Sequence, residues 1–296
     1  MTQKEKDLIE TAEYDGIIII GNGFDLNLGL KTRYSDFINS DHFQQKKEDN
    51  MLFQYLDTQN VEKKGWIDAE IELKNYTKLK PENYYDEFIE LKNTLTQYLK
   101  DATDPASDSY REIYKKDSEA KKFLNRVAGL NFLIFNFNYT RTVEDLLFHF
   151  YHGDDTLYQD AIKRIIHVHG SIENNDIIFG IEDKSNIDEE YIFLKKSVNT
   201  NFCNLDIEQI LQKSTKNVIF FGYSLGITDY TYFRDFFRSL SHQSFPKQTK
   251  DIIVFYYGLS NYYDIYKRID DMSQSSVSGL KQNHNLTLVD LIKETV

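Results

Sequence analysis

The sequence predicts an α/β fold: a Rossmann-like, mainly parallel sheet with helices on both faces and a helical insertion after the first strand. Three observations carry this expectation. Short runs of Ile, Val, Leu and Phe recur along the chain without alternating with polar residues, as strands covered on both faces do. Amphipathic helical stretches separate most of these runs. One long polar segment in the first half has no strand pattern.

The first run is "GIIIIG" (16–21), four β-branched residues closed by a glycine. Residues 40–125 follow as the helical insertion, with a loose stretch at "DATDPASDS" (101–109). Within it, Tyr84, Phe88, Leu91, Leu95 and Tyr98 step by four and three, which is one face of a helix. "NFLIFNF" (131–137) predicts the second strand, and Val143, Leu146, Leu147 and Phe150 mark the helix after it. "RIIHVHG" (164–170) predicts the third. "NVIFFGYS" (217–224) predicts the fourth, followed by a helix with Tyr230, Phe233, Phe236, Phe237 and Leu240 on one face. "DIIVFYYG" (251–258) and "NLTLVDL" (285–291) complete the set. The sheet domain is thus expected over 1–39 and 126–296, with 40–125 packed over the sheet's ligand edge.

Composition narrows the class. A chain of 296 residues can bury a sizeable core, and 41% hydrophobic with 28% charged residues suits a globular protein. Aromatics are abundant at 15%, which reads as core material, and three prolines leave room for long regular elements. A net charge of −12 argues against a nucleic-acid partner, which asks for a basic face. The lone cysteine, Cys203, excludes a disulfide framework and a four-cysteine zinc site, and it suits a cytoplasmic location. The longest purely aliphatic run is four residues and the N-terminus has no apolar leader, so neither a membrane span nor a signal peptide is expected.

In an open parallel sheet, ligands bind beyond the carboxyl ends of the strands. After the first run stand Gly21, Asn22, Gly23 and Asp25, then Gly29. A dinucleotide fingerprint wants its third glycine where Leu26 stands, so as that motif the loop fails. After the second run come Asn138 and Thr140, after the third His169 and Gly170, and after the fourth Gly222, Ser224 and Asp229. Each has an ordinary alternative. Asn138 can tie loops together, Thr140 and Ser224 can cap helices, and His169 can be a strand-end histidine bonded to a carbonyl. His167, further into the strand, reads as a satisfied core residue. His149 and His152 read as surface residues. In "GWIDAE" (65–70), Asp68 and Glu70 diverge on a helix, and the segment reads as an anchor for the insertion around Trp66, the single tryptophan.

In order along the chain, "IIGNGFDLNLGLKTRYSDF", "WIDAE", "NFNYTRTVE", "HVHGS" and "FGYSLGITDYTYF" resemble the motifs of bacterial AbiH-type abortive-infection proteins, which are phage-defence factors. These in turn resemble the sirtuin-like NAD-binding superfamily. Gly21, Gly23 and Gly29 fall on that superfamily's three loop glycines, Asn138 on its asparagine, His169-Gly170 on its catalytic His-Gly, and Gly222-Tyr223-Ser224 on its later loop. The chain departs from it at Asp25 for Ser, Lys31 for Pro and Thr140 for Asp. One cysteine cannot build the zinc module of the protein-deacetylating sirtuins, so the resemblance implies the branch that hydrolyses NAD to nicotinamide and ADP-ribose, with no metal.

That chemistry passes through an oxocarbenium-like transition state and releases a neutral pyridine. The resemblance assigns catalysis to Asn138 and His169. It assigns the pyrophosphate to Gly21, Asn22 and Gly23, the adenosine side to Ser224, and the rest of the nucleotide site to Gly29, Thr140, Gly222 and Asp229. Asp25 either meets a ribose hydroxyl or braces the loop. NAD or a related nucleotide is the expected ligand, with room for a phage-derived trigger and a homo-oligomer. The alternative is a non-catalytic dinucleotide sensor or scaffold. A metal-dependent nuclease would recruit Asp68, Glu70 or the His149 pair, and the acidic chain argues against it.

Overall fold

The computed structural model of the protein describes residues 6, 9, 12–65, 68–152, 154–202, 205–213, 216–242 and 248–292. Trp66 and Cys203 lie outside the described residues. Six strands form one sheet: β1 (Gly16–Ile20), β2 (Phe132–Asn136), β3 (Ile165–His167), β4 (Asn217–Phe221), β5 (Asp251–Tyr256) and β6 (Asn285–Asp290). Their order is β3-β2-β1-β4-β5-β6 and every pairing is parallel. This is the order of a doubly wound sheet, which changes direction between β1 and β4.

The isoleucine run explains why β1 lies inside the sheet. Ile17 and Ile19 face one apolar core, Ile18 and Ile20 the other, and all four are fully buried. Burial of each contributes about 2–3 kcal/mol. Helices Ile207–Gln212, Arg234–Ser241, Gly258–Met272 and Val277–Asn283 cover the first face. Helices Gly23–Leu28, Asp108–Lys115, Glu119–Val127, Thr142–Phe150 and Asp155–Ile162 cover the second. The sequence's continuous apolar runs therefore correspond to strands sandwiched between two helical layers.

A third core lies outside the sheet. Phe37, Phe43, Phe53, Tyr76 and the predicted stripe Tyr84, Phe88, Leu91, Leu95 and Tyr98 pack together. Residues 172–194, which follow β3, complete it through Phe179, Tyr191 and Leu194. The insertion is thereby joined to the chain beyond β3 rather than standing alone.

Two elements differ in detail from the sequence expectation. The helix predicted after β4 is a 3-10 turn over Ile227–Tyr232 followed by the α-helix Arg234–Ser241. The break falls at Phe233, just beyond Asp229, whose carboxylate is held by groups from elsewhere in the fold. β3 is three residues long, because its chain turns away at Val168. Among the described residues no helix is long and apolar enough to cross a membrane.

Candidate functional site at the carboxyl ends of the strands

The loops after β1 and β4 meet at the switch point. Gly23 N–H donates to Gly222 O at 2.8 Å, and Gly21 N–H donates to Phe221 O at 3.1 Å. A Cβ on Gly23 would lie 2.6 Å from Gly222 Cα, and one on Gly21 would lie 2.7 Å from the Tyr223 ring. The glycines admit the neighbouring loop. Gly222 itself has φ +60°, and a Cβ there would strike the backbone of Gly23 and Phe24. Gly222→Ala is expected to lose about 2–3 kcal/mol, from the left-handed backbone and the collision together. A thermal melt checks this, and an unchanged midpoint would show that the two loops can part freely. Around this seam, Asn22 is exposed and exchanges hydrogen bonds with Thr32, Gly29 closes the helix Gly23–Leu28, and Ser224 is exposed.

Asp25 is fully buried and serves as a brace. Its two carboxylate oxygens each accept a hydroxyl, from Thr140 and from Thr142, both at 2.6 Å. Burial pushes its carboxyl up to about 6, against the pull of those hydroxyls. The Asn138 amide approaches Asp25, yet its Nδ2 has no hydrogen-bond partner among the described residues. His167 is satisfied on both nitrogens, by Asn138 O at 3.1 Å and Glu144 Oε1 at 2.7 Å, as a core residue should be. Burial opposes its protonation, but Glu144 holds it above the ordinary histidine value.

His169 belongs to a second polar cluster, built from four parts of the chain. Lys196 Nζ lies 2.9 Å from Glu70 Oε2 and 3.1 Å from Asp229 Oδ1. The Tyr223 hydroxyl donates to Asp229 Oδ2 at 2.8 Å. His169 Nε2 lies 3.5 Å from Asp229 Oδ1 without hydrogen-bond geometry, and it too has no partner among the described residues. Relative exposures are 4% for His169, 5% for Asn138, 3% for Lys196 and 6% for Glu70. Local structure explains the delivery. Asp68 caps the helix Ala69–Tyr76 by accepting from Glu70 N and Ile71 N, which sets Glu70 in the first turn. The Lys196 N–H donates to Ile181 O and Ile181 N–H to Leu194 O, so the segment after β3 folds back and buries the lysine.

The charges follow from burial and these contacts. Burial pushes His169 down to about 3, with Lys196 adding to the effect, so the imidazole is neutral near pH 7 and its approach to Asp229 is not an ion pair. Burial works against the charge of Lys196, but Asp229 and Glu70 outweigh it and hold the ammonium well above its ordinary value. Burial likewise disfavours the Asp229 carboxylate, yet the Lys196 ammonium, helped by the Tyr223 hydroxyl, keeps it below the usual range. Glu70 is pushed up to about 7, by burial first and by Asp229 and Asp68 beside it, more than Lys196 offsets.

Residues 17–249 match the family described as bacteriophage abortive infection AbiH. The chain belongs to the AbiH family. Membership implies a role in phage abortive infection. No curated protein and no solved structure matches the chain.

In this AbiH protein the matched span holds every residue of both clusters, while β5 and β6 lie beyond it. The sequence-predicted residues divide. Asn138, Thr140 and Asp25 stand in one cluster, and His169 and Asp229 in the other, with the glycines of two loops at the seam. Thr142 and Lys196 carry no site reading in the sequence, and Glu70 carries one only in the disfavoured nuclease alternative. Thr142 could have been found by its place two residues after Thr140. Glu70 was visible in "WIDAE" but read as part of an anchor. Lys196 follows another lysine in an irregular stretch, and no sequence signal marks it. His149 and His152 are exposed and line a surface cavity of about 320 Å³ with Asp117, Lys121 and Asn125, away from both clusters.

Proposed function

We propose that this AbiH protein is a cytoplasmic abortive-infection effector that hydrolyses NAD to nicotinamide and ADP-ribose. The observation that carries the reading is a pair of buried side-chain atoms, Nδ2 of Asn138 near Asp25 and Nε2 of His169 near Asp229, neither of which has a hydrogen-bond partner in good geometry among the described residues. They stand on the loops after β2 and β3, at the carboxyl ends of the strands of a doubly wound sheet, and His169 lies close to Asp229 from beyond β4. Buried polar atoms are nearly always paired, so two orphans at such a place are what a site awaiting polar ligand atoms would leave.

In this reading the bond between the pyridinium nitrogen and ribose C1 breaks, and its electron pair leaves with nicotinamide. Water adds to C1, and its proton passes to solvent by way of the imidazole. His169, neutral near pH 7, engages the water or a ribose hydroxyl. Asn138 orients the sugar without adding charge. The loop of Gly21, Asn22 and Gly23 takes the pyrophosphate once it parts from Gly222, and Ser224 lies toward the adenosine.

The test is nicotinamide release from NAD by the full-length protein, with and without lysate of phage-infected cells as trigger. His169→Ala is expected to abolish release while leaving the melting temperature near that of the parent. Failure of the parent to release nicotinamide under every trigger, with normal folding, would sink the reading. One observation favours a second reading, a dinucleotide-binding sensor: an imidazole pushed down to about 3 is a weak base. The sensor predicts saturable binding without turnover, and a His169→Ala protein that still protects cells from phage.

A further inference from the structure

We propose that Glu70, Lys196 and Asp229 form a cation-accepting subsite beside His169, which takes the positively charged pyridinium end of an oxidised dinucleotide. The inference rests on the function proposed above and names the part of the ligand that this cluster holds. It assigns a place at the site to the insertion, which supplies Glu70 from the first turn of helix Ala69–Tyr76.

The argument is one of charge balance in a closed space. Two carboxylates share a single ammonium, at 2.9 Å and 3.1 Å, and none of the three side chains is more than 14% exposed. Buried charge is tolerated when it is matched. Here, with both carboxylates ionised, the trio carries one negative charge too many, and the adjacent imidazole is neutral. The surroundings do not correct the deficit. Asp68, at the start of the same helix, adds negative charge, and Glu182, near Lys196 and Asp229, is offset by Lys184 beside it. Tyr34 and Tyr139 face the cluster from two other segments, and Tyr223 from the loop that carries Asp229. Their phenols, disfavoured as anions by burial and by the carboxylates around them, stay neutral. The mismatch is relieved by a proton on Glu70, whose carboxyl is pushed up to about 7.

A ligand cation would relieve it instead, and Glu70 would then give up that proton to solvent. The rings around His169 suit a flat organic cation. Phe137 packs edge-on to the imidazole with centroids 5.2 Å apart, and Tyr232 stands at 6.2 Å. The reduced dinucleotide has the same shape class but no ring charge, and nothing in the cluster would reward it.

Calorimetric titration of the full-length protein at pH 7, in two buffers of different ionisation enthalpy, tests this. The ligand is carba-NAD, which keeps the pyridinium but cannot be hydrolysed at C1, and the control is its reduced form. The oxidised form is expected to release about half a proton on binding, since Glu70 is near half-protonated there. The reduced form is expected to release none and to bind about tenfold more weakly. Glu70→Gln is expected to remove both the release and most of the preference. The oxidised–reduced comparison on the unaltered protein needs no variant. Equal affinity for the two forms, or release that persists in Glu70→Gln, overturns the subsite and leaves the hydrolase reading standing. No binding of either form, together with no nicotinamide release, overturns both.

Discussion

Lys196→Met is expected to destabilise the protein by about 3–5 kcal/mol, because it leaves Glu70 and Asp229 buried and facing each other without their cation. That is a large share of the roughly 5–15 kcal/mol by which a domain of ordinary stability is folded. Methionine keeps the length and the apolar stem of lysine, so the loss reports charge rather than packing. The sign of its pH dependence is fixed. Without Lys196, both carboxyls in the folded state are raised above their unfolded values. Their protonated forms keep the fold at low pH, and stability is lost as pH rises through the raised values. Urea midpoints at pH 5 and pH 8 should therefore differ more for the variant than for the parent. Adding Glu70→Gln and Asp229→Asn to Lys196→Met should recover much of the loss. A deficit that stays the same at both pH values, and in the triple variant, would show that Lys196 acts through its hydrocarbon stem.

Asp25→Ala should cost about 3–4 kcal/mol. It strands the Thr140 and Thr142 hydroxyls in a buried site and opens a small cavity between the loops after β1 and β2. Asp25→Asn separates charge from shape. The folded carboxyl is pushed up to about 6 by burial, above its unfolded value, so the proton it holds favours folding at low pH. That contribution is complete below about pH 4 and is lost as pH rises through about 6. The parent's advantage over Asp25→Asn should then narrow by about 2–3 kcal/mol between pH 4 and pH 8. A gap that does not change with pH would put the proton on another group.

The sequence made some parts of this molecule plain and hid others for physical reasons. β1, β2 and β4 are readable because strands covered on both faces need unbroken apolar runs, and "IIII", "FLIF" and "VIFF" have no other economical use. The stripe from Tyr84 to Tyr98 is readable because its period is helical and its whole face is buried. The edge strands are weaker signals. β3 has three residues, and β6 is partly exposed with polar residues at Asn285 and Thr287. Site positions that follow strands, such as Asn138 and His169, could be found by asking what stands at each strand end. Glu70 and Lys196 could not, because neither follows a strand. Lys196 is recruited by the fold-back of Ile181 on Leu194, a tertiary event with no local pattern. Asp25 shows the opposite case. Its position was evident, but its role as a brace depended on two threonines more than a hundred residues away.

The inner position of β1 also bears on how the chain is made. Its isoleucines leave the ribosome well before their partners on β4, and Ile17 meets its neighbour Val218 about 200 residues later. At ~5–20 residues per second, that edge stays unpaired for ~10–40 s of synthesis. Through most of this interval a nascent chain carries an open, strongly adhesive strand without Lys196, and throughout it without Asp229. Chaperone capture of the growing polypeptide, rather than spontaneous collapse, is the expected guard against its premature aggregation, and the charged cluster can assemble only once Asp229 has followed Lys196 by 33 residues.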